Sequence, residues 1–398
     1  MNQLATKENQ ITRKQTTVLK CPVENRCGGC QMLSMPYKEQ LRYKREQVAK
    51  LLKKYGHIAP IIGMVSPTYY RNKVHAVFER SKNGQIISGT YKEGSHQVIP
   101  VTNCYLENQK ADAIIATIRS LLPSFKLKVY NEDTKTGLVR HVLIRTGHKS
   151  GEIMVVLVVS SFVFPSKQNF IKALRTLHPE ITTIILNLND KKTSMVLGDR
   201  EKVIYGKGYI EDTLCDCTFR ISPKSFYQVN PLQTEVLYQK AISLATLTGK
   251  ERIIDAYCGI GTIGIIASRK AKEVIGVELN SDAIKDAKLN AKCNRQTNIK
   301  FYNADAGKFM VQLAKDNKEP IDVVFMDPPR AGSDKAFMDS VMKVAPKNVI
   351  YISCNPETLA RDLKYLSSCY KVEAICPVDM FPHTTHVETV CKLIKANA

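Results

Sequence analysis

No apolar run in these 398 residues is long enough to cross a bilayer, which excludes a membrane-spanning helix of ordinary length. Met1 to Lys20 lack the apolar core of a signal peptide, which excludes export by that route. The protein is therefore expected in the cytoplasm, with no membrane partner. No internal repeat or long low-complexity segment is present, which excludes a repeat architecture. Acidic residues are scarce, 37 against 58 lysines and arginines, for a net charge of +21. So large an excess points to a polyanionic partner, nucleic acid ahead of a membrane surface. Without an export signal, the twelve cysteines point to metal binding or catalysis and away from disulfides.

What is present divides into three parts, enough for two or three domains. Residues 1–20 read as a basic flexible arm, with Lys7, Arg13, Lys14 and Lys20 against Glu8. Residues 21–218 read as an α+β domain with RNA-binding features. Residues 219–398 read as a regular βα alternation. The middle part opens with Cys21-x5-Cys27-x2-Cys30. Paired glycines before Cys30 let the backbone wrap closely around a bound object. Cys104 is the best fourth ligand. Four thiolates suit Zn²⁺ or an iron–sulfur cluster, and a three-plus-one pattern fits [4Fe–4S] better. The spacing is not the C-x3-C-x2-C of radical enzymes.

Residues 36–55 carry Tyr37, Leu41, Val48, Leu52 and Tyr55 at helical spacing. The other face is read as basic, with Lys38, Arg42, Lys44, Arg45, Lys50, Lys53 and Lys54. This helix is expected to pack on the C-terminal domain. Strands are expected at 74–78, 85–89, 137–145 and 153–159, and helices at 111–122 and 166–177, in a mostly antiparallel sheet. Arg71, Lys73, Arg140, His141 and Arg145 are candidates to face a polyanion.

From Phe219 onward, seven strands are expected at 252–256, 273–278, 299–303, 321–326, 348–353, 370–376 and 386–393. Helices separate the first six, giving a doubly wound sheet with an antiparallel last pair. The chemistry sits at the strand ends. Gly259-Ile-Gly261-Thr-Ile-Gly264 follows the first strand, where glycines permit a tight turn and close approach to a ligand. Glu278 ends the second strand, placed to accept from ribose hydroxyls. Asp305 ends the third, placed to accept from an adenine amino group. Asp327-Pro-Pro-Arg330 ends the fourth, where a carboxylate would stand beside a methyl donor and a base. Cys354 ends the fifth, and Pro356 opens the next helix at a position where a missing N–H costs little. A thiol beside Arg330 suggests a pyrimidine activated by covalent attack.

Taken together, Cys21-x5-Cys27-x2-Cys30 with Cys104, Phe226-Tyr-Gln228-Val-Asn230, Asp255-x-Tyr257-Cys-Gly-x-Gly261, Asp327-Pro-Pro-Arg330, Ser353-Cys354-Asn355-Pro356 and His386-Val-Glu388-Thr resemble the bacterial RNA uracil-C5-methyltransferases. The cysteine set is similar to that of the 23S ribosomal RNA branch. The resemblance implies a Rossmann-like, seven-stranded class I methyltransferase domain and an α+β central domain carrying a [4Fe–4S] cluster on Cys21, Cys27, Cys30 and Cys104. It implies S-adenosyl-L-methionine held by Gln228, Tyr257, Glu278, Asp305 and Asp327. It implies Cys354 as nucleophile and Glu388 as general base. The substrate implied is 23S rRNA and the enzyme is expected to act as a monomer; a tRNA uracil-C5 or RNA cytosine-C5 activity is the alternative.

Overall fold

A computed structural model describes residues 18–316 and 319–396. The expected basic arm lies outside the described residues except for its last three. Among the described residues, no helix is long and apolar enough to cross a membrane.

Two seven-stranded sheets dominate. The first contains β1 (Lys73–Arg80), β2 (Ile86–Tyr91), β3 (Val98–Pro100), β4 (Val139–Thr146), β5 (Ile153–Val159), β6 (Ile181–Leu188) and β7 (Arg200–Tyr205). Their order is β3-β2-β1-β4-β5-β6-β7, antiparallel throughout except for β5 and β6. The expected mostly antiparallel sheet is therefore found. β3, β6 and β7 go beyond the four strands expected there. β3 has only three residues and β7 is largely exposed. β6 is an apolar run that periodicity alone cannot separate from a buried helix.

Every residue of β4 and β5 is buried, because both faces of the sheet are covered. Helices Gln109–Ser124 and Lys167–Leu177 cover one face through Ile114, Ile118, Phe170 and Leu174. On the other face Leu143, Met154, Val156 and Ile185 join one continuous core with Phe219, Ile221, Ile253 and Val390. A hairpin of β8 (Ile210–Leu214) and β9 (Cys217–Ile221) bridges the two halves of that core. The division expected after residue 218 falls inside β9.

The second sheet contains β10 (Arg252–Ala256), β11 (Glu273–Glu278), β12 (Ile299–Asn303), β13 (Val323–Met326), β14 (Asn348–Ser353), β15 (Tyr370–Val378) and β16 (Glu388–Lys395). Its order is β12-β11-β10-β13-β14-β16-β15, with β16 antiparallel to both neighbours. This is the seven-stranded α/β fold expected, including the antiparallel final pair. The order reverses between β10 and β13, so ligands belong beyond their carboxyl ends.

Helix Tyr37–Leu52 packs against this second domain, with Val48 and Leu52 in one core with Leu359 and Leu363. Two sequence readings are corrected here. Lys44 is not on the solvated basic face but fully buried, paired with Asp379 at 2.6 Å. Helical spacing places it on the inward stripe Tyr37–Gln40–Lys44–Val48–Leu52, every member of which is buried. Arg140, His141 and Arg145 are buried as well, so they are not free to meet a polyanion. Arg140 pairs with Glu132 at 2.7 Å, and Arg145 donates to the carbonyls of Pro223 and Ser225.

Candidate active site

A glycine-rich turn begins where β10 ends. Tyr257, Gly259 and Gly261 all adopt positive φ, at 64°, 56° and 83°, a region that glycine enters without steric cost. A Cβ at Gly261 would stand 2.8 Å from the Phe301 ring, so only glycine fits this turn. The turn delivers the Gly264 N–H to Asp255 Oδ2 at 2.7 Å. Asp255 Oδ1 is buried without a partner. Burial pushes this carboxyl up to about 7, with Asp327 and Glu278 adding to the shift.

Glu278 lies across the turn, accepting from the N–H of Gly259 at 3.1 Å and of Asn280 at 2.8 Å. Tyr257 rests its ring 5.4 Å from Phe337 and places its hydroxyl 3.2 Å from Ser333 Oγ. Asp305 is exposed and caps the next helix, accepting the Lys308 N–H at 2.9 Å. Gln228 is nearly buried beside Tyr238, whose hydroxyl also meets Thr262 at 3.4 Å. Asp327 is pushed up to about 7 by burial. Two desolvated carboxylates, Asp255 and Asp327, favour a cationic ligand, since a nearby positive charge restores their ionised forms. The glycine turn, the orphaned Asp255 oxygen and these carboxylates fit a sulfonium-bearing nucleoside.

The thiol lies just past the end of β14. Asn355 caps helix Pro356–Leu366, accepting the Glu357 N–H at 3.0 Å, and its Nδ2 donates to the Arg330 carbonyl at 3.3 Å. Thr358 Oγ1 donates to the same carbonyl at 3.3 Å. The Asp327-Pro-Pro-Arg330 turn is thus tied to the segment carrying Cys354. The thiol is pushed up to about 11 by burial, then by Glu388 and Asp327, against a lowering pull from Arg330. Glu388, at the start of β16, is 3% exposed. It is pushed up to about 8 by burial and by Asp327, while Arg330 pulls it down. The structure therefore brings Cys354, Glu388, Asp327 and Arg330 within electrostatic reach of one another.

Cys21, Cys27, Cys30 and Cys104 line a single cavity of about 620 Å³. Among the described residues, no three or more histidine, cysteine or acidic side chains are gathered tightly enough to clasp one metal ion. The four thiols are all free. Burial raises Cys30, and Cys104, Cys27 and Cys21 add to that rise in turn. The donor set is thus four thiols spread around one volume.

The family described as tRNA (uracil-5-)-methyltransferase matches residues 36–396. The chain belongs to this family. Its relatives include an uncharacterized RNA methyltransferase of Halalkalibacterium halodurans, 44% identical over 94% of this chain and 82% of the relative. Another, from Listeria innocua, is 43% identical over 94% of this chain and 83% of its own length. A solved tRNA (uracil-54, C5)-methyltransferase of Pyrococcus abyssi, in complex with S-adenosyl-L-homocysteine, superposes with a TM-score of 0.78 at 27% identity. It covers 95% of this chain and 88% of its own. The protein is an S-adenosyl-L-methionine-dependent RNA methyltransferase of the uracil-5 family.

In this methyltransferase, Tyr257 and Glu278 meet at the turn after β10, Asp327 acts on Asp255 and Gln228 lies beside Tyr238, while Asp305 caps the next helix. Asp255 and Tyr238 are additions. Asp255 is legible in retrospect as the carboxylate that a glycine turn leaves facing inward. Glu388 carries a thermodynamic signature that can be checked without RNA. Its carboxyl rises from an ordinary 4.5 to about 8, so folding prefers it protonated. Its ionisation at pH 8 opposes folding by on the order of 4 kcal/mol. Glu388→Gln should raise the thermal midpoint at pH 8 by roughly 5 °C. Wild type loses stability as pH climbs from 4.5 through about 8, so the gap should shrink towards pH 5 and level off above 8. A gap independent of pH, read by scanning calorimetry, would contradict the buried-acid assignment.

Proposed function

We propose that this methyltransferase modifies C5 of uridine in 23S ribosomal RNA, with Cys354 as nucleophile and Glu388 as general base. The observation that carries the reading is the meeting of Cys354, Glu388, Asp327 and Arg330 at the carboxyl edge of the sheet. Uracil C5 is too weak a nucleophile to take a methyl group unaided. The Cys354 thiolate adds to C6, pushing electrons through the ring to the C4 oxygen as an enolate. Arg330, facing the thiol, favours its ionised form. C5 then takes the methyl group supplied by the bound sulfonium donor. Glu388 removes the C5 proton, the C5=C6 double bond reforms, and Cys354 leaves as thiolate. Gln228, Tyr257, Glu278 and Asp327 hold the donor, with Asp305 at the adenine edge.

The net charge of +21 supports an RNA partner through phosphate neutralisation. The four-cysteine cavity supports the ribosomal target, being a feature of the branch the sequence resembles. A [4Fe–4S] cluster bound to Cys21, Cys27, Cys30 and Cys104 would cross-link the amino-terminal loop to the segment after β3. Such a cluster spreads its ligands over several irons, consistent with thiols that surround a volume and do not converge on a point. Anaerobically purified protein should then carry about four irons per chain, as four thiolate ligands imply. Cys104→Ser should lose them; stoichiometric zinc without iron would refute the cluster. A tRNA target is the second reading, favoured by the family description and by the archaeal neighbour's own substrate.

The deciding assay compares tritium release from [5-³H]uridine and [5-³H]cytidine transcripts, followed by mass mapping of methyluridine in 23S RNA and tRNA from a deletion strain. Release from uridine and a missing 23S methyluridine are expected. Release from cytidine, or loss of the mark from tRNA alone, would overturn the assignment.

A further inference from the structure

The loop that leads to Glu388 is held mainly by residues from outside its own sheet. Val378, the last residue of β15, pairs with Glu388 across the hairpin, so residues 379–387 form a loop that opens and closes at the base itself. Asp379 is completely buried. Its Oδ1 accepts from Lys44 Nζ at 2.6 Å and its Oδ2 from the Tyr37 hydroxyl at 2.8 Å. Lys44 Nζ also donates to the Phe381 carbonyl at 2.9 Å. Gln40, one turn earlier on the same helix, grips His383 at two points. Its Oε1 accepts the His383 N–H at 2.9 Å, and its Nε2 lies 3.1 Å from His383 Nδ1. The His383 carbonyl accepts the N–H groups of Gln31 and Met32, each at 3.1 Å. The Pro382 carbonyl accepts the Tyr70 hydroxyl at 3.0 Å.

A buried ion pair is a weak source of stability, because apolar replacements of similar volume often do as well. Its distinctive property is geometric, since removing the pair's directional bonds frees the segment it holds. His383 sits at a φ of 68°, a conformation that persists in a non-glycine residue only where its surroundings enforce it. Glu388 opens β16, where it pairs with Val378 and where the next residue, Thr389, pairs with Ser353 beside Cys354, so the clamp holds the chain that enters the strand at the base. Among the described residues, the clamp's hydrogen bonds reach the loop that leads into Glu388, and none of them reaches Cys354 or Asp327.

We infer that Lys44 and Gln40 are positioning residues for Glu388, so that proton removal depends on a helix outside the methyltransferase sheet. This rests on the reading of Glu388 as the base. In the step concerned, Glu388 takes the C5 proton, the C–H electron pair becomes the C5=C6 bond, and the C6–S bond breaks to return the Cys354 thiolate. Thiolate addition and methyl transfer precede it and do not use Glu388. A displacement of about 1 Å in such a group costs on the order of 100-fold in rate, and here the loss falls on release alone.

The test uses the full-length enzyme, a uridine transcript and methyl-labelled donor under single-turnover conditions. Lys44→Met leaves Asp379 buried without its cation and risks misfolding. The informative variant is therefore Lys44→Met with Asp379→Asn, which removes both charges together. It should keep the wild-type donor dissociation constant and its rate of methyl transfer within about 3-fold. Release of methylated RNA should slow by roughly 10- to 100-fold, with labelled adduct accumulating on denaturing gels. Gln40→Leu should shift the same step in the same direction. Release at the wild-type rate by the folded double variant, while Glu388→Gln stalls, would overturn the positioning role and leave the base assignment standing. Wild-type turnover by Glu388→Gln would overturn both.

Discussion

Glu388→Gln should convert this enzyme from a catalyst into a protein that ends covalently attached to its product. Glutamine keeps the volume of the buried side chain but cannot take a proton at the pH of the assay. Cys354 still adds to C6 and C5 still accepts the methyl group, because neither step calls on residue 388. The methylated adduct then retains its C5 proton, and the thiolate has no route out. General bases contribute about 10²- to 10⁴-fold to such steps, so turnover should fall by that factor while a single equivalent of methyl is transferred. The adduct should survive denaturing gels and carry label from the methyl group. Turnover near the wild-type rate would remove Glu388 from the mechanism.

Cys354→Ala should abolish turnover altogether and leave no adduct, alone or combined with Glu388→Gln. Without the thiol there is no addition at C6, and C5 stays a poor nucleophile however well the donor is held. Donor binding should be unchanged, since Cys354 is none of the residues proposed to hold the donor, which follow β10, β12 and β13, end β11 or precede helix Pro231–Ala245. Calorimetry with S-adenosyl-L-homocysteine separates a dead nucleophile from a damaged fold. Labelled adduct persisting in Cys354→Ala would move the nucleophile to another cysteine. The half-buried thiol is pushed up to about 11, so wild-type kcat/KM should climb with pH through the neutral range, as the thiolate and the Glu388 carboxylate both become more abundant.

The second sheet was legible in the sequence because its chemistry is local. Glu278, Asp327 and Cys354 each stand at the end of an apolar strand, and the order of the motifs along the chain matches the order of the strands. The four-cysteine cavity was legible as a group for a similar reason, three of its members lying within ten residues of one another. What escaped reading depends on distance along the chain. Lys44 looks like one more cation on a basic helix, and its partner Asp379 is 335 residues away. The available signal was positional: a lysine in register with Tyr37, Val48 and Leu52 faces inward, and an inward lysine requires a buried anion. The burial of Arg140 and Arg145 was hidden likewise, since their acceptors come from segments that only the fold brings near. Nothing in the alternation of β4 reveals that its second face is covered by another domain.

That shared covering has a bearing on how a target is engaged. Interdomain motion is the ordinary expectation unless the contact is extensive and apolar, and here Met154 and Val156 of one sheet sit in the same core as Ile253 and Val390 of the other. A core shared in this way opposes hinge motion between the two sheets. Under the proposed chemistry the adjustment would then fall on the RNA, whose target base must leave its stack to reach the thiol. If the proposed uridine chemistry holds, a uridine in a loop or bulge should be methylated faster than one in a stable duplex when the two transcripts compete.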